Sequence, residues 1–80
     1  MDDEDEVIDV ARLNAVIRDT QLEMYQQAAD GRPVPALACS CAEARSVVAL
    51  YNQLDIDGRV MLMELTTRDA VEVATRTLRN

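Results

Sequence analysis

Val7-Ile8-Asp9-Val10-Ala11-Arg12-Leu13-Asn14-Ala15-Val16-Ile17-Arg18-Asp19-Thr20-Gln21-Leu22-Glu23-Met24-Tyr25-Gln26-Gln27-Ala28-Ala29 is the stretch whose reading decides the fold. Val10, Leu13, Ile17 and Met24 fall on one approximately heptad-spaced stripe, and Ile8, Ala15, Leu22 and Ala29 fall on its neighbour, which is the signature of an amphipathic helix with a broad apolar face. No Gly, Pro or dense β-branched run interrupts it. Asp30-Gly31 then supplies the residue expected just past a helix end. The pattern predicts a helix over 7–30.

Downstream, Arg32-Pro33-Val34-Pro35 must be extended or turned, because each proline biases its predecessor away from the α region. Ser40 precedes Glu43 by three residues, the spacing at which hydroxyl and carboxylate satisfy free N–H groups at a helix start. A second helix is expected over 41–54, with Val47, Leu50, Tyr51 and Leu54 on one face. Asp55-Ile56-Asp57-Gly58 reads as a break made of turn formers. The run from Val60 to Leu65 suits a short strand or a helix start, and helix is favoured because a lone strand would lack a partner. A third helix is expected over 59–79, with Thr66, three residues before Asp69, as the candidate point of a break. Val71, Ala74 and Leu78 mark its buried stripe, and Glu72 precedes Arg76 in the favourable i, i+4 order. The fold class is therefore all-α: a small three-helix bundle of residues 7–80 preceded by an acidic flexible tail over 1–6.

Composition narrows the function. Eighty residues make one small domain. Fifteen acidic residues against eight basic ones give a formal charge of −7, and the arginines are scattered rather than clustered, so phosphate binding by counterion release is disfavoured. A basic partner is expected in preference to an acidic one. All eight cations are Arg, a bias that GC-rich coding produces, as in actinobacteria and their phages. Histidine is absent, which removes the usual general base near neutral pH and argues against an enzyme. With no Phe or Trp the core must be built from aliphatic side chains, and a small aliphatic core is often completed by a second copy or a partner. No basic leader and no run of about 20 apolar residues is present, so a cytoplasmic setting off the membrane is expected.

Gln53 to Glu64 carries the most specific local pattern. It resembles the EF-hand calcium loop, which places oxygen ligands at its first, third and fifth positions, glycine at the sixth, an aliphatic residue at the eighth and a bidentate Glu at the twelfth. Asp55, Asp57, Gly58, Val60 and Glu64 match those places, and the resemblance implies Asp55, Asp57 and Glu64 as calcium ligands. Gln53 stands where the first Asp is usual, Ile56 where a polar residue or glycine is common, and Met61 where an oxygen is usual. The competing reading is a plain Asp-Gly turn between helices.

Cys39 and Cys41 are one residue apart, too tight for an easy disulfide, and structural zinc wants four N or S ligands where the chain offers two. Reduced thiols packing as small hydrophobes are expected. Thr66 to Leu78 has the cadence of the first helix of a helix-turn-helix, but no recognition helix follows. Tyr25 and Tyr51 lie on or beside apolar stripes and read as core residues with their hydroxyls at the edge. Met24, Met61 and Met63 read as core filling or as an adaptable partner-binding surface. The reading that absorbs most of these features is a non-enzymatic, regulatory protein–protein interaction module without a cofactor, phage-encoded or cellular. In it the face bearing Val10, Leu13, Ile17 and Met24 docks on a protein partner or a second copy as a homodimer, without nucleic acid or membrane. A degenerate single EF-hand is the alternative.

Overall fold

The computed structural model describes residues 10–79, except the side chains of Val10, Ala11 and Asn14. The expected acidic tail over 1–6, and the part of the first helix expected before Val10, lie outside the described residues. Four helices follow: α1 (Val10–Ala29), α2 (Cys41–Gln53), α3 (Ile56–Glu64) and α4 (Thr67–Arg79). No strand occurs among the described residues. The fold is a small all-α bundle, with four helices in place of three because the expected third helix is broken at Leu65-Thr66.

α1 stops at a glycine-terminated motif. Gly31 takes φ +89°, a conformation that L side chains rarely adopt, which lets its N–H bond to the Ala28 carbonyl at 3.0 Å and the Arg32 N–H bond to Gln27 at 3.0 Å. These are the paired reverse bonds of a Schellman end. The Ala29 carbonyl accepts from the Cys41 thiol at 2.8 Å and from Arg45 Nε at 3.2 Å, so side chains of α2 finish the terminus of α1. The connector is pinned by Leu37, which is buried in the core.

α2 starts at the expected capping box. The Ser40 N–H donates to Glu43 Oε1 at 2.8 Å, and the Glu43 N–H donates to Ser40 Oγ at 3.2 Å. The α2–α3 junction differs from the expected turn. Asp55 is itself an N-cap, its Oδ1 accepting the Gly58 N–H at 2.8 Å, so the helix starts at Ile56 and not 59, and Gly58 is helical. A Cβ on Gly58 would lie 3.1 Å from Leu54 Cβ and 3.2 Å from Asp55 Oδ1; the glycine keeps the cap uncrowded. Arg59 reaches back to the carbonyl end of α2, bonding the Tyr51 carbonyl at 3.0 Å with its guanidinium 4.9 Å from the Tyr51 ring centroid. A cation there meets the negative end of the helix dipole as well as the ring face. At the next junction Thr66 Oγ1 accepts the Asp69 N–H at 3.2 Å.

α2 is the helix against which both α1 and α4 pack, while α3 lies mainly along α1. The core joins Tyr25 and Ala28 of α1, Leu37 of the connector, Ala44, Val47 and Leu50 of α2, Leu62 and Met63 of α3, and Ala70 and Ala74 of α4. Tyr51, Leu54 and Val71, expected in the core, are half-buried against it. Leu78 is a correction: it is 37% exposed, because it lies in the last turn of α4, beyond Ala74, the last core residue among the described residues. Met61 and Met63 divide, Met63 into the core and Met61 into solvent at 69% exposure. The extents are 52 × 27 × 17 Å and the radius of gyration 14.6 Å, against about 11 Å for a compact domain of this size. An elongated molecule this thin shields less of each helix than a globular one.

Candidate functional site

The first half of α1 carries the apolar surface that the bundle leaves open. A helix places residues three and four apart on one face, and the face of α1 that turns inward holds Leu22, Tyr25, Ala28 and Ala29. Leu13 and Ile17 lie on a different line, with Val16 beside them. They are 46%, 48% and 56% exposed for Leu13, Ile17 and Val16 respectively. Among the described residues of α1, none before Tyr25 is fully buried.

The expected stripe therefore divides along its length. Met24 packs half-buried against the core, Leu13 and Ile17 face water, and the Val10 side chain lies outside the described residues. Val16 was not part of the expected surface because it falls off the heptad spacing; its neighbour relation to Leu13 at i+3 was the available signal.

Two furrows flank the seam between α1 and α3. One is lined by Ile17, Arg18, Gln21, Met63 and Glu64. The other, of about 180 Å³, is lined by Ala15, Arg18, Asp19, Tyr51, Ile56, Arg59 and Val60. Ile56 is 76% exposed at its lip. α1 is itself balanced in charge over its described length, with Arg12 and Arg18 against Asp19 and Glu23. Exposed apolar side chains here are thus bordered by both signs of charge.

Asp55, Asp57 and Glu64 are not brought together. Asp55 caps α3, Asp57 is in its first turn and Glu64 is its last residue, so the helix holds Asp55 and Glu64 about 13 Å apart along its axis. A calcium cage needs its oxygens about 2.5 Å from one ion. Where a calcium loop would wrap, Ile56–Glu64 is helical. Among the described residues no group of three or more Cys, Asp, Glu or His is arranged to hold a metal.

Both cysteines are free and half-buried. Cys39 borders a groove of about 510 Å³ lined by the connector, including Pro33 and Pro35, and by Glu43 of α2. Burial pushes its thiol up from the ordinary value, and the Glu43 charge adds to the rise, which keeps it protonated and a poor nucleophile at neutral pH. Glu43 is shifted the other way, lowered chiefly by the Ser40 backbone N–H and then by the Ser40 side chain. Burial raises the Tyr25 phenol, a hydrogen bond with Thr67 opposing the rise and the Cys39 charge adding to it.

Among the described residues, no helix is long and apolar enough to cross a membrane. No protein-family model matches the chain, and neither a curated protein nor a solved structure matches it significantly.

Proposed function

We propose that this protein is a non-enzymatic interaction module of regulatory type, acting in the cytoplasm, whose first helix docks on a protein partner or on a second copy. The observation that supports this reading is the placement of Leu13, Val16 and Ile17: three branched aliphatic residues half-exposed on one stretch of a helix whose other end is anchored in the core. Exposing them is unfavourable by about 25 cal/mol per Å² of apolar surface, and covering them recovers that free energy. The helix is already formed and braced by α2 and α3, so docking orders little additional chain and loses little conformational entropy. Furrows on either side of the α1–α3 seam give a bound helix ridges and grooves to register against.

The test is to replace Leu13 and Ile17 together by Ser and compare the two proteins by sedimentation over a hundredfold concentration range and by titration with candidate partners. The reading predicts that the double variant keeps its helical content and thermal transition while losing association. Unfolding of the variant, with Leu13 and Ile17 thereby shown to be structural, would contradict it.

A further inference from the structure

Cys39 and Cys41 are the two thiols of this chain, and the fold brings them to one place. Both are free and half-buried, and both line the groove of about 510 Å³ that the connector forms beside Gly31, Pro33 and Pro35. Ser40 between them is extended, at φ −77° and ψ 164°. An extended residue puts its two neighbours on the same side of the chain, with their Cα atoms about 6.6 Å apart. That is the far end of the range a disulfide spans, so the pair does not close easily on itself. The spacing suits a single atom held between the two sulfurs: with metal–thiolate bonds of about 2.3 Å, a linear S–metal–S unit is about 4.6 Å long.

The donor set selects the metal. Zinc wants four ligands, and among the described residues no group of three or more Cys, Asp, Glu or His is arranged to hold an ion. Glu43 also lines the groove, but its Oε1 accepts the Ser40 N–H in the capping box. Soft thiolates select Cu(I), a closed-shell ion that two thiolates satisfy in a linear arrangement. We propose that Cys39 and Cys41 bind one Cu(I) ion between their sulfurs in this groove. The step is a ligand exchange: two S–H protons pass to solvent, two S–Cu bonds form, and neither copper nor sulfur changes oxidation state. The surroundings accommodate it. The Cys41 thiol donates to the Ala29 carbonyl at 2.8 Å, and when that proton leaves, the carbonyl keeps its bond from Arg45 Nε at 3.2 Å. The same guanidinium offsets the single negative charge of a Cu(I) dithiolate, and Cys41 opens α2, whose N-terminal end favours negative charge.

The reduced full chain is titrated anaerobically with Cu(I) in competition with a chromogenic Cu(I) chelator. One equivalent per chain should bind, with a thiolate-to-copper charge-transfer band in the ultraviolet. Cys39→Ser and Cys41→Ser should each weaken binding by at least about a hundredfold, since a single thiolate leaves the ion half-coordinated. Circular dichroism of the metal-free variants checks that their helices are intact. A second readout needs no variant: one equivalent of Ag(I), which shares the preference for two thiolates and does not change oxidation state, should shield both thiols of the wild-type chain from iodoacetamide, counted by mass spectrometry. Wild-type affinity in either single-cysteine variant overturns the proposal, and so does one Ag(I) that shields only one thiol. A stoichiometry of one Cu(I) to two chains overturns it as well, by making the metal a bridge between copies.

Discussion

Single residues divide into those that hold the bundle and those that face out of it, and substitutions separate the two. Leu50 is 3% exposed; Leu50→Ala should cost about 2–5 kcal/mol, the range for emptying a packed site. Leu13→Ala, at a half-exposed site, should stay within about 0.5 kcal/mol. Urea unfolding of the two variants distinguishes a buried from a half-exposed leucine, and equal losses would place Leu13 in the core. Ionisation gives a second residue-scale test. Tyr25 and Cys39 are both raised above their ordinary values, so the unfolded chain releases these protons at lower pH than the folded one. Stability from this source is complete below the ordinary thiol range and falls as pH rises through the folded-state values. The urea midpoint should decline as pH rises above the ordinary thiol range, and Cys39→Ser should flatten the earlier part of that decline. Glu43 contributes in the opposite direction: its lowered value means stability present above the ordinary carboxylate range and lost as pH falls through the folded value.

Helices were legible in the sequence to the extent that their ends are written in side chains. Ser40-x-x-Glu43 and Asp30-Gly31 each specify a hydrogen-bonding pattern that only a helix start or stop satisfies, and the bonds form as the spacing requires. Asp55 was misread because Asp followed by Gly three residues later describes both a turn and a capped helix whose first turn includes the glycine. The Asp55 bond to the Gly58 N–H decides between them, and it depends on Leu54 and Asp55 already being extended, which periodicity does not report. Ser40→Ala should cost about 1 kcal/mol, a fall in melting temperature of about 4–8 °C. Gly31→Ala, which forces a side chain into φ +89°, should cost a further amount of about 1–2 kcal/mol. Calorimetry that found Ser40→Ala neutral would remove the capping box as the cause of the α2 start.

Over the whole molecule, the amphipathic pattern of α1 revealed that it has an apolar face but not which part the other helices would reach. That depends on length: a 20-residue helix spans about 30 Å, more than the shorter α2 and α3 cover, so the same periodic stripe is half-buried at Met24 and exposed at Leu13. Leu37, isolated between prolines and a cysteine, gave no periodic signal at all and is placed by the path of the connector. The elongated shape follows from the same mismatch, and so does the exposed apolar stripe, since a more compact arrangement would have folded α1 under cover. The most direct measurement is solvent paramagnetic relaxation of methyl groups in dilute, monomeric protein. The account predicts strong broadening at Leu13, Val16 and Ile17 and little at Val47, Leu50 and Leu62; methyls of Leu13 and Ile17 as protected as those of Leu50 would contradict it.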